Sequence, residues 1–316
     1  MNMDAALKAK MDRLCSLHTF GIKPGLARVQ ALLDRMENPE REFAAVHVAG
    51  TNGKGSVCAM IESTLRAAGY RTGLYTSPHL MQFHERVRVS GNCIGDDDLS
   101  QLIDEMEPSA AEVAVKHGEV TFFEFTTALA FEYFRRRGVR LAVVETGMGG
   151  RLDATNVVMP VVSVITALSL EHTQYLGPDI RSIAREKGGI IKDGRPVICG
   201  SLDEEAMGVL AGIAAERSSR LVTAGDMVEV RRIRQDISGQ KLKITSQGID
   251  YAPLLMPLLG RHQLANCATA VAAVEELSCA GPIEVDQGAV EKGLASVQWP
   301  GRLQVISREP PVLLDG

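Results

Sequence analysis

Gly50-Thr51-Asn52-Gly53-Lys54-Gly55-Ser56 follows a short apolar run and precedes a helical pattern. Glycines let a backbone turn so that successive N–H groups point inward at phosphate oxygens. The helix N-terminus behind them adds the positive end of its dipole. Lys54 can reach β- and γ-phosphates, and Ser56 can offer a hydroxyl near a metal. The match to the common phosphate-loop pattern has two departures. Val48 stands where the first glycine is due, and Gly55 separates the lysine from the hydroxyl. A tight strand-to-helix turn is the other reading. A dinucleotide fingerprint fits less well, because Gly53-x-Gly55 runs into Cys58.

Two acids and a histidine stand at strand ends. Glu145 closes an apolar run and opens a glycine loop. An acid there is a helix cap or a surface pair, or, beside a phosphate loop, a ligand for Mg²⁺, a hard cation that takes oxygen donors and phosphates. Glu171-His172 follows another apolar run. Such a histidine is a structural hydrogen-bonder or lies where ligands of open α/β sheets gather. Asp96-Asp97-Asp98 reads as the acidic first turn of a helix rather than a metal site.

These residues need a scaffold. From residue 43 onward, apolar strand-like runs at 44–49, 72–75, 140–144, 161–165 and 196–199 alternate with helical segments at 56–68, 98–115, 203–217 and others. Thr121 with Glu124 fits a capping box for a helix running to about residue 137. The expected fold class is α/β, a P-loop-type doubly wound, mostly parallel sheet with helices on both faces. Between 227 and 255 the pattern alternates polar and apolar, which predicts a small antiparallel β appendage. Arg86 and Arg88 read as strand-face charges, and the loops at 22–25 and 77–88 as segments that close over a substrate.

Composition limits the classes. The 316 residues carry net charge −5, with 45% hydrophobic and 23% charged residues. That excludes disordered, collagen-like and coiled-coil chains. A slightly acidic chain argues against a nucleic-acid partner. No apolar stretch reaches the ~18 residues of a membrane span, and the first residues lack a signal peptide's apolar region. The six cysteines form no CxxC and read as reduced thiols of a cytoplasmic protein.

The variant Gly-Thr-Asn-Gly-Lys-Gly-Ser resembles the phosphate loop of ATP-dependent Mur-type peptide ligases, and within them the folylpolyglutamate synthase/dihydrofolate synthase group. Thr76-Ser77-Pro78-His79-Leu80, the segment 145–156 with Gly-Gly-Arg-Leu-Asp-Ala-Thr-Asn, the segment 184–192, and Trp299-Pro300-Gly301-Arg302 carry the same resemblance. It implies that Ser77 and Glu145 hold one Mg²⁺ and Glu145 with His172 a second. Family members carry Asp before that histidine, where this chain has the longer Glu171. Lys187 resembles the family lysine that CO₂ carbamylates. The other reading is a surface lysine at a helix C-terminus, favoured by the dipole. Asn266 resembles an adenine contact, whose amide offers the donor and acceptor that the base edge requires. Arg302 resembles a phosphate-reaching arginine and Asp315 a ribose contact. Thr121, Phe123, Asp153 and Ala154 match segments that bind the pterin. Phe123 can stack on a flat heterocycle, and Asp153 can accept from an amino-pyrimidine edge.

The implied activity adds L-glutamate to reduced folate or dihydropteroate through an acyl phosphate, with Lys54, Lys187 and His172 at the reacting centre. A monomer is expected. Residues 1–298 would form the ATP-binding unit, and 299–316 the linker and first strand of a glutamate-binding unit, so that this chain binds nucleotide but ligates poorly. The alternatives are a Mur-type ligase for a UDP-sugar peptide precursor and a nucleotide-binding module without chemistry.

Overall fold

A computed structural model describes residues 5–17, 25–280 and 283–316. Of the 22–25 loop, residues 22–24 lie outside these. Helices α1 (Ala5–Ser16) and α2 (Ala27–Arg35) precede β1 (Ala44–Ala49) and α3 (Lys54–Ala67). Then come β2 (Thr72–Tyr75), β3 (Val87–Val89), β4 (Asn92–Cys93), α4 (Asp96–His117), α5 (Phe122–Arg136), β5 (Leu141–Glu145) and β6 (Val162–Ile165). Next are α6 (Thr173–Leu176), α7 (Ile180–Gly188), β7 (Val197–Cys199), α8 (Glu204–Glu216), β8 (Leu221–Thr223) and α9 (Ala224–Met227). The chain ends with β9 (Val228–Asp236), β10 (Gly239–Ser246), β11 (Ile249–Asp250), β12 (Leu254–Met256), α10 (His262–Ala280), α11 (Gln287–Ser296), β13 (Gln304–Arg308) and β14 (Pro311–Leu314).

Among the described residues, β1 to β8 form one eight-stranded sheet in the order β4-β3-β2-β5-β1-β6-β7-β8. The strands from β2 to β8 in that order run parallel, as expected. The short hairpin β3–β4 extends the β2 edge antiparallel, which the sequence pattern did not show. β9 to β12 make the antiparallel appendage, and β13 pairs with β14. No helix among the described residues is long and apolar enough to cross a membrane.

Side chains alternate across β1 and sort the core. Val46 and Val48 face one layer with Val57, Ile61 and Leu65 of α3 and Val271 of α10. Ala45 faces the other layer, with Leu32 of α2, Leu102 of α4 and Phe131 of α5. Each fully buried aliphatic side chain there contributes roughly 1.5–3 kcal/mol. The capping box at Thr121 forms as predicted: Glu124 N donates to Thr121 Oγ1 at 3.3 Å, and Thr121 N donates to Glu124 Oε2 at 2.8 Å. The three aspartates lie in the first turn of α4, and Asp96 pairs with His84 at 2.8 Å.

From β1 the chain moves through α3 to β2 on one side. After β5 it reaches β6, on the other side of β1. The strand order therefore reverses direction between β1 and β6, and the carboxyl ends of strands at such a switch point are where open α/β sheets bind ligands.

One polar side chain sits in the middle of β1. His47 is fully buried, and burial together with the charge of Lys192 holds its pKa down to about 3. The unfolded imidazole titrates near 6.5. Below that pH the unfolded chain takes up a proton that the folded chain refuses, so stability falls as pH drops from about 6.5 toward 3. By pH 4.5 this group alone removes about 2–3 kcal/mol. His47→Gln should lose less Tm than the parent between pH 6.5 and 4.5 in thermal melts. Equal losses would place the acid sensitivity elsewhere.

Candidate active site

The phosphate-loop segment lies at this switch point. Gly50 and Gly53 have φ of +152° and +87°, and Gly53 is the residue before α3. A Cβ at Gly50 would stand 1.8 Å from Thr166 Oγ1, and one at Gly53 would stand 2.4 Å from Asn266 Oδ1. Only glycine fits these positions, for space and for backbone conformation. The loop is strapped to the chain that leaves β6. Thr51 N donates to Ala167 O at 2.8 Å, and Thr166 Oγ1 donates to Asn52 O at 2.8 Å. Asn52 Nδ2 donates to Ser169 Oγ at 3.2 Å. The first-turn amides of α3 have no intrahelical acceptors and open onto the same loop.

Two lysines meet there. Lys54 folds back, its Nζ donating to Gly50 O at 2.8 Å and Thr51 O at 3.1 Å. Lys187 is only 1% exposed, and its Nζ donates to Gly50 O at 2.7 Å and Glu171 Oε1 at 2.8 Å. Burial, and then the nearby charge of Lys54, lower the Lys187 pKa against the pull of Glu171. Of the two readings open for Lys187, the surface lysine is excluded. The C-terminal end of α7 presses this side chain onto the glycine loop.

Glu145 ends β5 beside this group. It is 4% exposed, and its Oε2 accepts from Ser77 N at 3.0 Å. Burial pushes its carboxyl up to about 7, while Lys54, the Ser77 amide and Arg302 pull it down. His172 lies on the surface in a left-handed conformation, φ +46°, just before α6. Among the described residues, no three His, Cys, Asp or Glu side chains converge as a metal cage. The main-chain contact between them places Ser77, which carries a hydroxyl, next to the Glu145 carboxylate. That pairing suits Mg²⁺, which needs only one or two carboxylates when phosphates and water complete its shell.

Asn266 and the last segment sit on the other side of the loop. Asn266 is buried, and its Nδ2 donates to Gln263 Oε1 at 2.9 Å. Gln263 Nε2 in turn donates to Ser56 Oγ at 3.2 Å. Sequence reasoning gave Gln263 no role, although its spacing of three from Asn266 places both on one helix face. The single tryptophan, Trp299, packs against Gly55, where a Cβ would stand 2.6 Å from its ring. Arg302 is exposed but near enough to act on Glu145. Asp315 is exposed too, its Oδ1 accepting from Leu303 N at 3.2 Å.

A cavity of about 450 Å³ opens beside Glu145, and its wall includes Ser77, Thr121, Phe123, Asp153 and Ala154. All four residues expected to bind a pterin line this one space, next to one of the expected metal ligands. Phe123 packs against Gly147, where a Cβ would stand 2.6 Å from its ring. Asp153 is buried, and its carboxylate accepts from four donors of its own loop: Gly147 N and Met148 N at Oδ2, Thr155 N and Thr155 Oγ1 at Oδ1. Arg86 corrects the expectation of a strand-face charge. It is buried, lines the same cavity, lies 5.5 Å over the Phe122 ring and donates to His79 Nδ1 at 2.8 Å. Arg88 lies 5.6 Å over the Trp299 ring.

Known proteins are similar to this chain in sequence and fold. The Mur ligase middle domain family matches residues 48–274. The chain is 38% identical over 299 residues to a dihydrofolate synthase/folylpolyglutamate synthase of Bacillus subtilis, covering 94% of this chain and 70% of the relative. It is 36% identical over 313 residues to a folylpolyglutamate synthase of Lacticaseibacillus casei, covering 96% of this chain and 72% of that one. Folylpolyglutamate synthase of Mycobacterium tuberculosis complexed with ADP superposes with TM-score 0.93 at 35% identity, over 100% of this chain and 71% of that one. An FPGS–AMPPCP–folate complex superposes with TM-score 0.91 at 35% identity, over 97% of this chain and 76% of that one. With the loop, the strand-end acid and the apolar cavity in one crevice, these matches mean that the chain belongs to the folylpolyglutamate synthase/dihydrofolate synthase family of Mur-type ligases.

Proposed function

We propose that this chain is an ATP-dependent amide ligase that joins L-glutamate to a reduced folate, and to dihydropteroate, through an acyl phosphate. The observation that carries the reading is that Glu145, opposite Val48 just before the glycine loop, accepts from the amide of Ser77, which lines the 450 Å³ cavity with Phe123 and Asp153. A triphosphate held by residues 50–56 would point its terminal phosphate toward a carboxylate entering from that cavity.

The chemistry requires this order. An amine does not displace oxide from a carboxylate, because O²⁻ does not leave. The carboxylate oxygen therefore attacks the γ-phosphorus, the bond to the bridging oxygen breaks, and ADP departs. The glutamate amine then attacks the acyl carbon, and inorganic phosphate leaves. Catalysis of the first step is positioning and charge stabilisation. Lys54 and the loop amides supply donors where charge develops on the transferring phosphoryl group. Asn266, which packs against Gly53, would contact the adenine, with Arg302 and Asp315 as phosphate and ribose contacts. Ser77 and Glu145 would hold magnesium, with His172 toward a second ion; bound magnesium neutralises charge on the β- and γ-phosphate oxygens. The lowered pKa of Lys187 favours the neutral amine, whose nitrogen attacks the carbon of CO₂ and releases a proton, and the carbamate so formed would give an anionic oxygen in place of a cation. Thr121, Phe123, Asp153 and Ala154 wall the pteridine.

The test is phosphate release with ATP, dihydropteroate or reduced folate, and glutamate. Release should need all three. Hydrolysis indifferent to the pteridine, or thermal protection by a UDP-sugar and not by dihydropteroate, would sink the assignment. A narrower prediction concerns the loop. Gly53→Ala places a methyl 2.4 Å from Asn266 Oδ1 at φ +87° and should weaken nucleotide binding by more than tenfold. Its stability should fall by only about 1–2 kcal/mol. Trp299 fluorescence during ATP titration and a urea melt measure the two quantities separately.

A further inference from the structure

His47 lies under the cavity wall and is not part of the reaction just described. Its Nε2 is 2.8 Å from Thr155 Oγ1, both residues being fully buried. Its Nδ1 is buried with no hydrogen-bond partner. Thr155 Oγ1 donates its one proton to Asp153 Oδ1. A hydroxyl has one donor and two acceptor sites, so Thr155 Oγ1 can only accept from His47, and His47 must carry its proton on Nε2. The unpartnered Nδ1 is then a bare lone pair, which costs less to bury than an unpaired N–H cation. Burial and the neighbouring charge of Lys192 keep the ring neutral.

The chain of donors has one direction. His47 Nε2–H donates to Thr155 Oγ1, Thr155 donates to Asp153 Oδ1, and Asp153 Oδ2 accepts from Gly147 N and Met148 N. Those last two residues follow Glu145 by two and three positions, and the cavity wall includes the run from Gly147 to Ala154. A rigid strand in the centre of the sheet thus sets the carboxylate around which that wall turns.

We infer that His47, acting through Thr155, is a positioning residue that orients Asp153 and so fixes the 147–154 wall of the substrate cavity. The part of this that concerns the pteridine rests on the ligase reading above; the part that concerns the loop does not. Thr155→Val keeps the shape and removes the relay, whereas Thr155→Ser keeps the hydroxyl. Nitrogen NMR of histidine-labelled parent protein near pH 7 should show His47 protonated at Nε2 and bare at Nδ1. Hydrogen exchange at the amides of 147 and 148 should speed up at least tenfold in Thr155→Val and stay within threefold of the parent in Thr155→Ser. In the ligase assay, Thr155→Val should raise KM for dihydropteroate about tenfold, with kcat changed less than threefold and KM for ATP unchanged. Thr155→Ser should restore it. A parent His47 protonated at Nδ1, unchanged exchange in Thr155→Val, or a Thr155→Ser variant as impaired as Thr155→Val would overturn the relay. A parent that shows the expected tautomer and exchange pattern but no pteridine-dependent turnover would instead refute the ligase reading and leave the relay standing.

Discussion

Lys54→Ala is expected to lower kcat by about 10²–10³, because removing one preorganised donor to a developing oxyanion has that effect. The lysine has no other task that holds the fold. Its ammonium rests on the carbonyls of Gly50 and Thr51, the loop it serves. A phosphate arriving in that loop offers anionic oxygens in place of neutral carbonyls, so the ammonium gains a partner of opposite charge. The glycine turns and the straps to Thr166 and Ala167 do not involve the lysine side chain, so the variant should melt within a degree or two of the parent. Lys54→Arg should recover little, since a planar fork cannot replace a compact point charge at that turn. Single-turnover phosphate release measures the effect. A loss smaller than threefold would remove Lys54 from phosphoryl transfer.

The second large effect belongs to Lys187. Lys187→Ala should reduce turnover by at least 10² and also cost about 1–3 kcal/mol of stability, because it strips Gly50 O and Glu171 of a buried donor. Two small molecules separate its possible chemical states. If the working form is the carbamate, acetate or formate should restore part of the activity of Lys187→Ala. If it is the ammonium, ethylamine should restore it and carboxylates should not. The sign of the pKa shift bears on this. Burial lowers the Lys187 pKa, so more of the neutral amine is present at a given pH than for a free lysine, and carbamylation rises as pH rises toward that pKa. Glu171 works against this by stabilising the ammonium. A carbamate would have to break that pair, and a rescue by ethylamine alone would show that it does not.

The adjacency of Glu145 and Ser77, and of Lys187 and Gly50, follows from strand order. β5 lies next to β1 although α3, β2 to β4, α4 and α5 separate them in the chain. No local pattern encodes that neighbour relation. Residue spacing could place Glu145 at a strand end, but only the β1–β5 pairing, with Val48 opposite Glu145, brings the carboxylate beside the glycine loop. The same holds for the cavity. Ser77, the pair Thr121 and Phe123, and Asp153 come from three separate segments, and their convergence was reached from the sequence only by resemblance to a family.

By itself the sequence determined the features that are local in origin. Gly50 to Ser56 must turn and open a helix, because only glycine tolerates those torsions and the helix start leaves its amides free. The alternation of apolar runs and amphipathic segments requires a sheet covered by helices on both faces. Tertiary structure alone decided what Lys187, Arg86 and His47 are. Each has a side chain whose role depends on what packs against it, and burial in a low dielectric makes Lys187 a loop clamp, Arg86 part of a cavity wall and His47 a neutral donor.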